Sequence, residues 1–348
     1  MVMPLAARRV FRFGTVAALA LALAYGLAMP MPFLAPLFAL VLCARPAPPP
    51  GPKAVIGLVL VMALTLGIGL LLAPVLRYYP VTGVLVIAAG LFAATYLGVG
   101  LGNGLVATLL TVGLTMIPAA GLAGHALAST LVQSLLVGMG LAIACQWLVH
   151  PLFPEDPVRA ARPQPVPADA GQARWIALRT TAIVLPPVLM AFSNPAAYMA
   201  IIMKAVMLGQ QGSVVGARAA GHELLGSTLL GGVFAIAFWF GLKLWPGLWM
   251  FALWMLLFGL YIGAKLYGVI ATRLPPSAWL NAGVTMLILI GPAVQDSNGG
   301  DVYDAFIKRF VLFIAVTVYA WLAIVALEWL RARQAGRHGV AVSGAAPR

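Results

Sequence analysis

Apolar runs of roughly 20 residues follow one another along the whole chain, separated by short stretches rich in proline, glycine and charge. That is the spacing of helices crossing a hydrocarbon layer about 30 Å thick. The ten-residue alternation of an outer-membrane barrel is missing. The pattern therefore predicts an all-α fold, a polytopic membrane helical bundle of about 12 transmembrane segments. These fall at 13–29, 33–44, 54–76, 81–100, 104–120, 127–149, 176–192, 196–210, 219–243, 247–271, 277–294 and 307–330. The second and eighth carry the weakest signal. Segment 33–44 is short and lies between Pro30, Pro32 and the run PAPPPGPK, so a broken or re-entrant helix is the alternative there.

The segments divide into two sets of six. A shift of 165 residues brings Arg9 onto Arg174, Lys53 onto Arg218, and Tyr96-Leu97-Gly98 onto Tyr261-Ile262-Gly263. After short slips in register, Pro118-Ala119 meets Pro292-Ala293, and Gln146-Trp147-Leu148 meets Glu328-Trp329-Leu330. Matches in one order at a shared spacing indicate an internal duplication. The expected organisation is a first six-helix repeat at 1–150, a proline-rich cytoplasmic linker at 151–174, a second repeat at 175–331 and a basic cytoplasmic tail at 332–348. An even number of crossings per repeat starts both from the same side, relating them by an axis along the membrane normal.

Composition adds topology to this outline. Of 348 residues, 63% are hydrophobic and 8% charged, and the mean hydropathy of +1.02 excludes an ordinary water-soluble domain. The net charge of +13 comes from basic residues scattered singly between apolar runs, which gives no nucleic-acid footprint. With the N-terminus inside, most arginines and lysines fall on the cytoplasmic side, whereas Arg77, Lys243, Lys308 and Arg309 fall near the other. The expected location is a bacterial inner membrane, multi-pass, with both termini cytoplasmic. The opening residues imitate a secretory signal, but a comparable segment returns after residue 174, so cleavage is not expected. Trp239, Trp245, Trp249 and Trp254 around Pro246-Gly247 read as an aromatic interface belt. Cys43 and Cys145 lack metal or redox spacing and read as packing residues, and no cofactor is expected.

The polar residues left inside the apolar segments are the functional candidates. Lys204 stands in the eighth segment, SNPAAYMAIIMKAVMLGQQGS, close to the membrane midplane. An insertion cost of about 2.5–3.5 kcal/mol predicts that it faces a cavity, a carboxylate or water. Its counterpart in the first repeat is Ala39, so the halves differ chemically. Lys265 lies near a segment end, where snorkelling explains it as well as a pathway role does. ARAAGHELLGSTLLGG holds Arg218, His222 and Glu223; Arg218 and His222 share a face, and Glu223 could pair with a lysine or respond to protons. Thr108, Thr111 and Thr115 align on the fifth segment, as do Asn281 and Thr285 on the eleventh, where packing competes with pore lining. Gly98-Val99-Gly100 lacks the setting of a nucleotide site. Four dispersed histidines and no HExxH spacing argue against an enzyme.

With the duplicated unit in hand, the chain resembles the fusaric acid resistance and aromatic acid exporter superfamily of bacterial inner-membrane proteins, in its compact branch. The resemblance rests on Arg12-Phe13-Gly14-Thr15 leading to MPMPFLAPLFALVL, on HELLGSTLLGG, and on QWLVHPLFP at 146–154. It implies a bundle of two pseudo-equivalent halves that exports small, mostly aromatic, organic anions, often beside a periplasmic adaptor subunit. Two departures stand out: the larger relatives' cytoplasmic regions are missing, and Glu223 stands where the family carries an arginine before a Gly-Thr pair. The expected function is a transporter or efflux component for small organic anions, with Lys204, Lys265, Arg218, Asn281, Thr285 and Thr111 along the pathway and Glu223 and His222 as an ion pair or proton-coupling group. The expected partners are the lipid bilayer, the organic anion, an adaptor subunit and further copies of the chain. A membrane scaffold subunit and a lipid-modifying enzyme are the alternatives.

Overall fold

The computed structural model describes residues 3–100, 104–156, 169–212, 221–296 and 302–343. It contains twelve α-helices among the described residues and no strand. The first six are α1 (Leu5–Gly26), α2 (Leu34–Ala44), α3 (Pro52–Tyr78), α4 (Pro80–Gly100), α5 (Gly104–Ala123) and α6 (His125–Val149). The second six are α7 (Ala170–Ser193), α8 (Pro195–Gly212), α9 (Gly226–Leu244), α10 (Leu248–Leu266), α11 (Pro276–Asp296) and α12 (Val302–Ser343). One π-helical turn, Gly221–Leu225, leads directly into α9. Ten helices among the described residues are long and apolar enough to cross a membrane, and the molecule is a polytopic helical bundle.

α2 differs from a full crossing. Its 11 residues reach about 16 Å, half the hydrocarbon thickness. The chain around it covers the remainder: Phe33 packs against Gly291 near the end of α11, and at the other end Tyr267 donates a hydrogen bond to the Cys43 carbonyl. Pro46, Pro48, Pro49 and Pro50 keep the following residues out of helix, because each lacks an N–H and fixes φ. α7 starts earlier than the apolar pattern predicts, at Ala170, because the Asp169 side chain accepts a hydrogen bond from Gly171 N at 3.2 Å and caps a polar first turn. Hydropathy is blind to a helical turn that stands outside the lipid.

The packing repeats with a shift of six helices. α3 packs on α5 as α9 packs on α11, α1 on α2 as α7 on α8, α2 on α6 as α8 on α12, and α4 on α5 as α10 on α11. The halves also interlock, since α1 packs on α10 and α7 packs in the same way on α4. Small residues permit the first of these crossings: Gly259 and Gly263 form a GxxxG surface, and a Cβ on Gly259 would stand 2.8 Å from the Gly14 Cα. The matching Ala94 and Gly98 are buried on α4. Gly263 of the Tyr-Ile-Gly anchor is thus part of the contact by which α10 of the second half meets α1 of the first.

Burial separates centre from periphery. The apolar windows of α3, α4 and α12 are 28% buried, against 78% for α11. α5 contacts α8, α11 contacts α2, and α8 contacts α11, so these four helices form the middle of the bundle. On the outside Ile56, Leu60, Leu64 and Leu71 of α3 are exposed as a lipid-facing surface needs. α3 meets α5 through Gly69 and Gly113, where an added Cβ on either would run into the other helix's backbone. Gly69→Ala is therefore expected to destabilise the protein by about 1–3 kcal/mol through overpacking. Gly57→Ala, on the same helix with open space around it, is the neutral control, and thermal unfolding in detergent reads the difference.

Each repeat is also tied across its ends by charge. Arg8 pairs with Asp156 at 2.7 Å, and Arg9 and Arg12 both pair with Glu155, the latter at 2.7 Å. These contacts fasten the first turns of α1 to the chain leaving α6. In the second half Arg179 of α7 pairs with Glu328 of α12 at 2.9 Å, and the Trp175 indole donates to the same oxygen at 3.1 Å.

Candidate functional site

Lys204 is the tenth residue of α8, about 13 Å along its axis from either end. It is fully buried in the middle of the bundle. Its Nζ donates to Thr285 Oγ1 at 2.8 Å and more weakly to Asn281 Oδ1 at 3.4 Å, both on α11. Asn281 and Thr285 stand four residues apart, on one helical face, which is why two side chains of α11 reach a single amine. Asn281 Nδ2 then donates to Ser227 Oγ at 2.6 Å, and Ser227 donates to the Leu224 carbonyl at 3.2 Å. Thr228 donates to the same carbonyl at 2.7 Å and lies 3.3 Å from Thr317 Oγ1 on α12. A buried polar chain thus runs from α8 through α11 to the π-helical turn before α9.

The close approach of α9 to α11 depends on Gly231, where a Cβ would stand 2.7 Å from both the Ala282 carbonyl oxygen and the Thr285 Cβ. This contact holds Thr285 and Asn281 in place. A π-helical turn breaks the regular i→i−4 ladder, and here it presents the Leu224 carbonyl to two hydroxyls at once. Ser227 was not among the candidates from sequence, because in HELLGST it reads as one of several small packing residues. Its partner lies on another helix, 54 positions away.

A carboxylate, one of the partners expected for Lys204, is not what it meets among the described residues. None of the ion pairs among the described residues includes it, and its partners are a neutral amide and a neutral hydroxyl. α5 and the described side chains of α11 contain no carboxylate. An apolar cavity of about 60 Å³ lies beside α8, with Phe38, Met62, Met139, Met203 and Val206 in its wall. Met203 and Val206 flank Lys204 in sequence, while the amine turns away from the cavity toward α11.

The other candidates separate. Thr111 does not join the Lys204 chain: its hydroxyl donates to the Ala107 carbonyl of its own helix at 2.8 Å, and Thr108 is the threonine in the cavity wall. Lys265 sits at the end of α10, donating to the Ala271 carbonyl at 3.0 Å with Tyr261 and Trp279 rings beside it. It is a rim residue held by a carbonyl and two π faces. His222 is exposed and Glu223 half-buried on the π-helical turn, and no ion pair among the described residues includes either. Arg218 and its expected shared face with His222 lie outside the described residues.

The Glu155 cluster is the second group that sequence reading passed over, since PEDP looked like linker. Burial pushes the Glu155 carboxyl up, but hydrogen bonds and charge from Arg9 and Arg12 outweigh this and hold it below its ordinary value. Beside it, burial and the Arg12 charge lower the His150 imidazole. On the opposite face a groove of about 530 Å³ carries Tyr25, Trp239, Lys243 and Phe251, with Trp245 and Trp249 exposed nearby. No three His, Cys, Asp or Glu among the described residues are placed to hold a metal ion.

Residues 9–149 match the family model described as "Protein of unknown function (DUF2955)". The matched stretch is similar to that family over the first six helices and stops at the last residue of α6. No curated protein and no solved structure matches the chain.

Proposed function

We propose that this protein is an inner-membrane transporter that carries small organic anions, aromatic ones foremost, across the membrane without converting them chemically. The observation that carries the reading is Lys204: an amine buried at the centre of a membrane bundle and hydrogen-bonded, among the described residues, to neutral oxygens. A group of this kind is costly to keep in the hydrocarbon region and marks a pathway by default. An organic anion supplies the counter-charge that the fold withholds, and an apolar space lies within one turn of α8 for its body. The duplicated packing supports two halves rocking about a shared centre, which is how repeat-built carriers alternate access. The sequence resemblance to aromatic acid exporters supports the cargo class and a periplasmic adaptor partner. Arg8, Arg9, Arg12 and Arg45 at one end of the bundle support cytoplasmic termini.

Sealed packing around Lys204 favours one rival, a membrane scaffold subunit whose lysine is structural. Reconstitution separates the two. Full-length protein in liposomes is expected to take up labelled 4-hydroxybenzoate and benzenesulfonate faster than protein-free liposomes do, with inorganic sulfate excluded. Equal rates with and without protein for both organic probes would leave the scaffold reading standing.

A further inference from the structure

The hydrogen-bond inventory around Lys204 distinguishes its two protonation states. A lysine ammonium has three N–H donors, whereas the neutral amine has two and a lone pair. Two acceptors are present, Thr285 Oγ1 and Asn281 Oδ1. Their orientation is fixed: Ser227 gives its proton to the Leu224 carbonyl and so accepts from Asn281 Nδ2, turning Oδ1 toward the amine. The closed arrangement therefore satisfies a neutral amine and leaves a third N–H of an ammonium with no acceptor among the described residues.

Among the described residues no carboxylate is paired with Lys204 either. The helices packed against α8 are α5, α7, α11 and α12. α5 has no titratable side chain, and neither do the described side chains of α11. On α7, Arg179 is engaged by Glu328 of α12, and Arg174 is exposed. On α12, Tyr319 donates to the Ala182 carbonyl, Lys308 is exposed and Arg309 half-buried. On α8 itself Tyr198 is half-buried. A bare ammonium here would be an uncompensated charge in a sealed apolar setting, and an anion bound to a neutral amine would be another. The site is electrically neutral when it holds neither or when it holds both.

We infer that Lys204 takes up a proton only together with the anion it carries, so that transport moves one organic monoanion and one proton in the same direction. The inference rests on the transport reading above. The lone pair of Nζ accepts the proton from water on the entry side and returns it to water on the exit side, and no bond within the anion is made or broken. The stoichiometry is one because the counterpart position in the first repeat is Ala39, which has nothing to protonate.

The test uses the full-length protein in liposomes loaded with a pH-sensitive dye, with benzenesulfonate as the probe. A sulfonate is ionised throughout the working range, so any accompanying proton is carried by the protein. Uptake is expected to acidify the lumen in step with the label, one proton for each anion. It is also expected to ignore a potassium–valinomycin voltage and to concentrate the probe on the alkaline side of a pH gradient. Lys204→Arg keeps a cation that does not release its proton, and is expected to lower the proton-to-anion ratio by at least ~10-fold. Probe uptake by the wild type with no acidification, or driven by voltage, would overturn the inference and leave the transport reading intact. No uptake of any probe would remove both, and the wild-type ratio decides the matter even if the variant does not fold.

Discussion

Lys204→Met is expected to lower organic-anion flux at least ~100-fold while the protein still reaches the membrane. Truncating one partner of a buried charge pair costs about 2–5 kcal/mol, and a loss of 2.7 kcal/mol corresponds to about 100-fold. Methionine fills a similar volume, so the surrounding packing is retained. The cost to the fold is confined to Asn281 Oδ1 and Thr285 Oγ1, which lose the Nζ donor. An acceptor left without its donor costs about 1–3 kcal/mol, and removal of a desolvated amine offsets part of that. Flux and stability therefore part company: transport collapses while the melting temperature in detergent moves by a few degrees. Asn281→Leu is expected to follow with a smaller loss of flux, since it removes the weaker of the two Lys204 acceptors together with the Ser227 link. Thr111→Val, whose hydroxyl is bonded within its own helix, is expected to transport normally. A Lys204→Met protein with wild-type flux would take this residue out of the mechanism.

The second large effect belongs to the fold. Glu155→Ala is expected to cost about 3–5 kcal/mol, because it strips a buried carboxylate from two arginines at once. The Arg12 side chain is 5% exposed and that of Glu155 4% exposed, so neither charge can turn to water for compensation. Arg9, at 26%, recovers part of its hydration. Glu155→Gln keeps the shape and removes the charge, and is expected to fall between alanine and wild type. The same pair gives stability a defined pH dependence. The folded-state carboxyl is held below its ordinary value of 4.5, so its contribution is fully present at neutral pH and is lost as pH falls through that lowered value. The stability of the wild type against unfolding in detergent should therefore fall steeply below about pH 4.5, and Glu155→Gln should flatten that slope. An identical acid profile for the two proteins would show that the pair does not hold α1 to the end of α6.

Much of this organisation was legible in the chain. Helix positions came through because an apolar run of fixed length is a physical requirement of the hydrocarbon layer rather than a preference. One anchor of the duplication, Gly263, lies where α10 of the second half meets Phe13 and Val10 of α1. Lys204 stood out because a lone cation in an apolar segment has no local explanation. Asn281 and Thr285 were visible as a pair on one face, though nothing in the sequence attached them to Lys204.

What the sequence by itself determined was the solvent, the number of helices, their pairing into repeats and the residue most in need of a partner. All of these follow from local hydrophobicity and its period. The tertiary structure alone decided which partner answered. Lys204 meets neutral oxygens 77 and 81 positions away rather than a carboxylate, and Glu155 meets arginines 143 and 146 positions away. Such pairings depend on which helices touch and how close glycines such as Gly231 let them come. Close packing between distant segments sets that distance, and no window of local sequence contains it.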